Sequence, residues 1–313
     1  MGPEGPGAVV LSTLVAERVD TVAAPGPVPR PRRRLPLAWL GALPFFLYAS
    51  LFLLLPAGDV LIGAFRSEQG DWTGANVRGL FHAEYLHAFE NSIRISVYTA
   101  LVGGLLGALM CYAALHPGSP RFVRTIFTAF SAVASQFGGV PLAFFFISSI
   151  GTLGVVTQFL KDWLGIDIYA HGITVFGFWG VFLAYVYFQI PLMLLVLAPA
   201  VDGLRPEWRE ASESLGGDSL TYWRSVGIPV LAPSFLGAMV LLFGNAFAAQ
   251  ATAYALTSGG YNIVPLEITN VLNGNVVSDP HFGQALALGM IVVIAVAVLI
   301  YLPLQRRAAR WMK

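Results

Sequence analysis

The chain has 313 residues, of which 56% are hydrophobic and only 11% are charged, and its formal net charge at pH 7 is +1. This composition excludes an ordinary soluble protein, because the mean hydropathy of +0.70 indicates that much of the surface faces lipid. The single cysteine, Cys111, excludes a disulfide framework and a thiolate metal site.

Six long runs contain no Asp, Glu, Lys or Arg. Each is longer than the roughly 20 residues that cross about 30 Å of hydrocarbon as a helix. Soluble helical proteins instead bury apolar stripes. The sequence therefore predicts an all-α membrane protein with six transmembrane helices, with approximate cores at residues 38–62, 92–115, 125–149, 173–198, 232–257 and 284–304.

The first 35 residues are rich in Pro, Gly and Ala and end in the basic cluster PRPRRRLP. This composition predicts a disordered cytoplasmic tail, followed by a membrane domain over residues 36–313. The short apolar run VVLSTLVA, residues 9–16, lacks a preceding basic region and is followed by charged residues. It is therefore not expected to be a cleaved signal peptide.

Three connections are expected on the external side, at residues 66–91, 151–172 and 258–283. The first resembles a capping loop, and the segment GTLGVVTQFL, residues 151–160, is interpreted as a polar exit from the third helix. The third connection contains NVLNGN, which is typical of solvated turns.

Positive charge is distributed unevenly between the two sets of connections. Fourteen of the 18 Lys and Arg residues lie in the two termini and in the second-to-third and fourth-to-fifth loops. Cytoplasmic flanks retain Lys and Arg during insertion, so both termini are expected in the cytoplasm.

The expected cytoplasmic loop at residues 200–231 is long enough to have structure of its own. Trp208, Ala211 and Leu215 follow helical spacing, and Gly216 with Gly217 ends that helix. Asp218 or Ser219 can cap a second short helix that ends before Pro229 and Pro233. The pattern predicts a helix, a turn and a helix at the cytoplasmic surface.

One alternative is an amphipathic helix that rests on lipid. Glu207, Glu210 and Glu213 make this less favourable, because an anionic leaflet repels acidic residues. Docking into a groove of another protein fits the pattern better.

The same loop resembles a known motif. Glu210, Ala211 and Ser212, then Gly216 after three residues, then Val226 to Pro229 after nine, are similar to the EAA motif of permease subunits in bacterial binding-protein-dependent ABC importers. Ser212 replaces the second Ala of the motif, and the spacing is intact. The motif positions are Glu210, Ala211, Ser212, Gly216, Val226, Ile228 and Pro229.

This resemblance implies a type I ABC importer permease fold, in which the loop is a coupling helix seated on a cytoplasmic ATPase. It also implies a second, homologous permease, two ATPase subunits and an extracytoplasmic solute-binding protein in a bacterial inner membrane. The chain itself has no Walker A loop, because neither Lys161 nor Lys313 follows a glycine. We therefore expect a non-catalytic subunit without a cofactor, whose ATP is hydrolysed by the partner.

Polar side chains within the predicted helices are candidates for the translocation pathway, since they are costly in a membrane. Interhelical hydrogen bonding is the alternative for each residue taken singly. The fifth helix is expected to carry Asn245 and Thr252 on one side, and Gln250 and Tyr254 with Thr257 on another. The full set is Gln136, Gln189, Asn245, Gln250, Thr252 and Tyr254. Gln136 precedes Gly138, Gly139 and Pro141, and Gln189 precedes Pro191, so a helix is expected to break or kink at these two places.

The segments ATAYALTSGG and NGNVVSDPHFGQALALGM resemble the spermidine/putrescine permease subgroup, which implies a polyamine substrate. The same subgroup includes iron(III), thiamine and aminoethylphosphonate permeases, and no buried carboxylate in the sequence marks a cation site. An ion-coupled secondary transporter is a rival, but it would be expected to carry ionisable residues within its helices. A membrane enzyme would need nucleophile or metal groups that the five scattered histidines do not supply.

Overall fold

A computed structural model of the protein describes residues 38–115, 119–172, 174–273 and 279–309. The predicted tail at residues 1–35 lies outside these ranges. The chain divides into two compact units, residues 1–55 and 56–313. In the first unit, the described residues form α1 (Ala38–Ala49) and a π-helical turn (Ser50–Leu54).

The second unit consists of helices joined by short connections, and among its described residues an isolated β-bridge pairs Arg66 with Trp72. Its helices in chain order are α2 (Leu55–Gly63), α3 (Ala75–Gly79), α4 (Ala83–Leu115), α5 (Arg121–Ala134), α6 (Gly139–Ile150), α7 (Val155–Leu164), α8 (Phe178–Asp202), α9 (Pro206–Ser214), α10 (Ser219–Tyr222), α11 (Ile228–Ala248), α12 (Ala251–Thr257), α13 (Val264–Asn273) and α14 (Pro280–Ala309).

Six helical segments of the described chain are long and apolar enough to cross a membrane, as the sequence predicts. They are Gly41–Gly63, Ala83–Leu115, Gly139–Leu164, Phe178–Asp202, Ser219–Ala248 and Pro280–Arg307. The number of spans is therefore confirmed, while the limits of the third and fifth differ from the prediction.

The third predicted helix, residues 125–149, is not continuous. The chain leaves α5 at Ala134, and Gly138 is extended before Gly139 takes a left-handed φ of 67° at the start of α6. A helix cannot continue through these conformations. The prediction of a non-helical exit at residues 151–160 was also wrong, since α7 begins at Val155 and packs against α6.

The fifth predicted helix, residues 232–257, begins earlier and is interrupted. From Ser219 the chain passes through α10 and a π-helical turn (Trp223–Gly227) into α11, with Pro229 in the first turn and Pro233 inside the helix. The expected return to the membrane after a separate short helix is therefore wrong. At the other end α11 stops because Ala249 is extended, with a ψ of 110°.

Two smaller expectations also need correction. The connection at residues 258–283 contains α13, so it is more than a series of turns. The sequence around Gln189 and Pro191 was considered a place where a helix could break or kink, but α8 is helical throughout Phe178–Asp202. Proline is tolerated inside a membrane helix because neighbouring helices can satisfy the backbone carbonyl that it leaves free.

The core of the second unit lies where α4, α8 and α11 pack together. Cys111, Met193 and Leu242 are fully buried there. A Cβ added at Gly107 would lie 2.6 Å from the carbonyl oxygen of Ile190, so α4 and α8 approach closely at this point. Small residues permit such contacts between membrane helices, where van der Waals packing replaces the hydrophobic effect.

Candidate functional site

The predicted coupling segment begins with α9, which ends in a Schellman turn. The N–H of Gly217 donates to the carbonyl of Ser212 at 2.9 Å, and the N–H of Gly216 donates to that of Glu213 at 3.0 Å. Gly216 has a φ of 80°, as expected for a left-handed C-cap. The sequence-based prediction that glycine ends this helix is confirmed.

Asp218 caps the next helix. Its Oδ1 accepts the backbone N–H of Thr221 at 2.8 Å and the Thr221 hydroxyl at 2.6 Å. These two bonds lower the pKa of the Asp218 carboxyl, the side-chain bond contributing most. Because the helix that starts here runs without a break to Ala248, the turn is attached rigidly to the fifth span.

We expect Asp218→Ala to lower the unfolding temperature at pH 7, whereas Asp218→Asn retains the cap. The folded pKa of Asp218 lies below its unfolded value. The stabilisation of the folded protein by Asp218 is therefore complete above the ordinary pKa of an Asp carboxyl, about 4, and is lost as the pH falls through the folded pKa. Thermal unfolding of wild type and both variants between pH 7 and pH 3 measures this. An alanine effect that stays constant over the whole range would contradict the assignment.

The two halves of the segment face each other across an apolar groove of ≈ 480 Å³. The predicted stripe of Trp208, Ala211 and Leu215 forms one wall. Leu215, at the tip of the turn, is 89% exposed. The groove-lining residues are Trp208, Ala211, Ser212, Leu215, Gly217, Thr221, Ser225, Val226 and Val230.

The seven motif residues are distributed over α9, the glycine turn, the π-helical turn and the start of α11. Glu210 is exposed on α9, Ala211 and Ser212 line the groove, and Gly216 forms the turn. Val226 lines the opposite wall from the π-helical turn, while Ile228 and Pro229 open α11, where Ile228 is 60% exposed. The motif therefore spans the junction between the turn and the fifth membrane span.

Two contacts that the sequence did not suggest lie beside this segment, and one of them joins it to another helix. The Arg124 guanidinium on α5 forms an ion pair with Asp202 at the end of α8, with 2.6 Å between Nη2 and Oδ2. The Tyr112 ring on α4 meets the Trp223 ring edge-on, at 4.8 Å between centroids. Both contacts border a polar cavity of ≈ 540 Å³ beside α9.

The candidate pathway residues separate into two groups. Gln136, Asn245, Gln250 and Tyr254 are exposed. Gln189 and Thr252 are buried, at 0% and 3% exposure. Gln250 donates to the Thr269 hydroxyl on α13. The interruption at Ala249 separates Asn245 from the other fifth-helix candidates, so the predicted stripe of Asn245 and Thr252 does not exist. Gln250, Tyr254 and Thr257 all follow the interruption, at the start of α12 and within it.

Gln189 fits the alternative to a pathway role, which is a hydrogen bond between helices. Its Nε2 donates to the carbonyl of Leu242 at 2.8 Å, while its buried Oε1 has no hydrogen-bond partner among the described residues. Hydrogen bonds between membrane helices contribute about 0.6 kcal/mol on average. An unsatisfied buried acceptor costs about 1–3 kcal/mol. The side chain therefore adds little net stability.

We expect Gln189→Met to leave the unfolding temperature unchanged or to raise it, because methionine keeps the length and removes the unpaired oxygen. Gln189→Glu places a carboxyl at the same buried position and is expected to lower the unfolding temperature clearly. Thermal unfolding in detergent compares the two. A large loss on substitution by methionine would show that the Leu242 bond outweighs the cost of the unpaired oxygen.

Sequence reasoning missed the residues that join the helix interruptions. The N–H of Gly139 donates to the Thr252 hydroxyl oxygen at 2.8 Å. The hydroxyl of Tyr185, which is fully buried on α8, donates to the carbonyl of Ala249. The glycine pair before Pro141 and the tyrosine within an apolar helix were the available signals, but neither identifies its partner.

Comparisons with known proteins agree with the motif, although no family model matches the chain. It is 23% identical over 288 residues to the probable starch degradation products transport system permease protein AmyD of Thermoanaerobacterium thermosulfurigenes, covering 86% of this chain and 94% of that protein. It is 22% identical over 257 residues to the spermidine/putrescine transport system permease protein PotC of Escherichia coli K12, covering 79% and 88% respectively.

A solved bacterial alginate ABC transporter, in complex with alginate pentasaccharide-bound periplasmic protein, contains a chain of the same fold. The TM-score is 0.66 at 18% identity, over 87% of this chain and 94% of that chain. The resemblance to ABC importer permeases, including spermidine/putrescine permeases, is confirmed. The protein is a multi-pass, all-α membrane protein with an ABC importer permease fold.

Proposed function

We propose that this chain, which resembles ABC importer permeases in sequence and in fold, is a non-catalytic permease subunit that forms part of a solute pathway across a bacterial inner membrane. The observation that carries the proposal is the coupling segment. It consists of the acidic α9, a left-handed turn and the capped α10, and the helix that begins with α10 continues without a break into the fifth membrane span. Force applied at the turn therefore acts directly on a membrane helix.

The surface of this segment suits docking to a protein. Leu215 and Leu220 are 89% and 73% exposed, beside the exposed carboxylate of Glu210. Burying one such leucine contributes about 1.5–3 kcal/mol. The partner in this proposal is a cytoplasmic ATPase. Because this chain has no phosphate-binding loop of its own, the ATPase is the subunit that binds and hydrolyses ATP. The orientation with both termini in the cytoplasm belongs to the same proposal.

The complete importer contains two ATPase subunits, a second homologous permease and an extracytoplasmic solute-binding protein. Support for the last comes from the alginate transporter of the same fold, whose complex includes a substrate-loaded periplasmic protein. In this arrangement the exposed polar residues Gln136, Asn245, Gln250 and Tyr254 are the pathway candidates. Gln189 and Thr252 act within the packing of the helices.

A polyamine is the proposed substrate. It is supported by the resemblance of residues 251–260 and 273–290 to spermidine/putrescine permeases, and by the similarity to PotC. The similarity to AmyD, which covers more of the chain, favours an oligosaccharide as the second candidate. Iron(III), thiamine and aminoethylphosphonate remain in the set to be tested.

The function is tested by purifying the tagged chain from its own membranes in mild detergent. We expect a second permease and an ATPase to accompany it, and ATP hydrolysis by the reconstituted complex to rise with the loaded binding protein. Solute uptake by the isolated chain in liposomes, driven by a proton or sodium gradient without ATP, would instead identify a secondary transporter. Calorimetric titration of the cognate binding protein with spermidine and with maltooligosaccharides distinguishes the two substrate classes.

A further inference from the structure

The interruptions of the third and fifth predicted helices, at Gly138 and at Ala249, lie close together inside the second unit. Gly139, the first residue of α6, donates its N–H to the hydroxyl oxygen of Thr252 in α12, at 2.8 Å. A Cβ added at Gly139 would lie 3.7 Å from that of Ala251, so the two chain segments are in van der Waals contact. Thr252 is 3% exposed. The bond therefore supplies a partner that water could not easily provide.

The fourth span contacts the same interruption. The Tyr185 hydroxyl on α8 donates to the carbonyl of Ala249, which no longer has helical geometry. Tyr185 is fully buried. The Tyr185 side chain on α8 and the backbone N–H of Gly139 on α6 thus bind residues on either side of Gln250. The interruption is a defined structural element rather than a frayed helix end.

The fifth span links this element to the coupling segment. The helical segment Ser219–Ala248 has 30 residues, which corresponds to a length of about 45 Å at 1.5 Å per residue. It starts at the cap formed by Asp218 and ends at Ala249. Because a packed helix moves largely as a rigid body, a displacement at the turn reaches the interruption at the far end.

We propose that Thr252 is a positioning residue that couples the interruption before α6 to the interruption after α11, so that movement of α11 repositions α6. This inference rests on the proposed function, since it requires an ATPase that moves the coupling segment. The hydrogen bond to Gly139 transmits the movement because it ties the first turn of α6 to α12. The adjoining glycines of the third span, Gly138 and Gly139, allow α6 to change its direction relative to α5.

A structural role without coupling is the alternative, and the chain contains a matched control for it. Thr257 lies on the same helix and is also buried, at 8% exposure. Its hydroxyl donates at 2.8 Å to the carbonyl of Ala253, within its own helix. Thr257→Val therefore removes a buried hydroxyl from α12 without breaking a bond between spans.

The experiment uses the complete importer complex, in which Cys111, the only cysteine of this chain, is replaced by alanine. A new cysteine replaces Val140, which is 47% exposed in the first turn of α6. The rate of its reaction with a maleimide is measured without nucleotide and after trapping with ATP and vanadate. We expect the two rates to differ in the parent complex. Thr252→Val is expected to reduce the ratio of the faster rate to the slower rate about fivefold, as the loss of one hydrogen bond implies.

Thr252→Ser keeps the oxygen and is expected to restore the parent ratio, and Thr257→Val is expected to leave it unchanged. ATP hydrolysis is measured in parallel and should persist in every variant. If Thr252→Val does not accumulate, Tyr185→Phe loosens the same interruption from the fourth span and should also reduce the ratio.

Failure of this inference differs from failure of the proposed function. If no ATPase accompanies the parent chain, the proposed function is wrong. If the ATPase is present but the two rates are equal in the parent complex, or Thr252→Val behaves like Thr257→Val, the coupling role of Thr252 is wrong and the proposed function stands.

Discussion

Replacing Gly216 by valine is expected to separate the chain from the ATPase proposed as its partner, while the membrane helices remain folded. Gly216 has a φ of 80°, and a Cβ added there would have no atom within 4 Å. The effect therefore comes from the backbone rather than from crowding. A residue with a side chain loses about 1–2 kcal/mol in this conformation, and a β-branched one is the least tolerated. The turn opens, and Leu215 no longer lies where it can contact the partner.

The measurement is the amount of ATPase that co-purifies with the tagged chain, which we expect to fall about tenfold for a loss near 1.4 kcal/mol. Gly165→Val is the matched control. Gly165 ends α7 with a φ of 65° and also has no neighbour within 4 Å of its added Cβ. It should cost similar strain and leave the ATPase bound. Equal losses of ATPase in the two variants would mean that general destabilisation, not the coupling turn, is responsible.

Replacing Gly107 by leucine is expected to prevent the second unit from folding. The added Cβ alone would lie 2.6 Å from both the Ile190 carbonyl oxygen and the Met193 Cβ. The first contact involves backbone within α8, so it cannot be relieved by rotating a side chain. Overpacking a core costs about 1–3 kcal/mol or more, and here α4 and α8 must move apart along their whole contact.

The yield of monodisperse protein and its unfolding temperature measure this effect. Gly58→Leu is the control, because Gly58 lies within another membrane span and its added Cβ meets no atom within 4 Å. We expect it to behave like wild type. A stable Gly107→Leu protein would show that α4 and α8 can move apart and repack, and would contradict the expectation that their close approach requires glycine.

Much of the coupling segment could be predicted because it depends on local chemistry. A helix that ends at Gly216 and a cap at Asp218 need only neighbouring residues, and both are observed. What local reasoning missed is that the second helix does not stop at Pro229. Proline in the first turn of a helix loses no hydrogen bond, and the π-helical turn before it lets the chain continue into the membrane span.

The candidate pathway was predicted less well, for a physical reason. Helical spacing places Asn245 and Thr252 on one face only if the helix is continuous, and it ends at Ala248. The bonds that stabilise this interruption come from Tyr185 and Gly139, which lie 64 and 113 residues away in sequence. Periodicity within one helix contains no information about such partners.

Local sequence was enough to predict the membrane environment, the number of spans and the glycine turn at Gly216. Transfer of apolar segments into lipid and the conformational freedom of glycine are properties of short stretches of chain. The interruption at Ala249, and the burial or exposure of polar residues such as Gln189 and Thr252, depend on contacts between helices and could not be read from short stretches of chain. In a membrane every backbone group needs a partner, and that partner can belong to a helix far away in sequence.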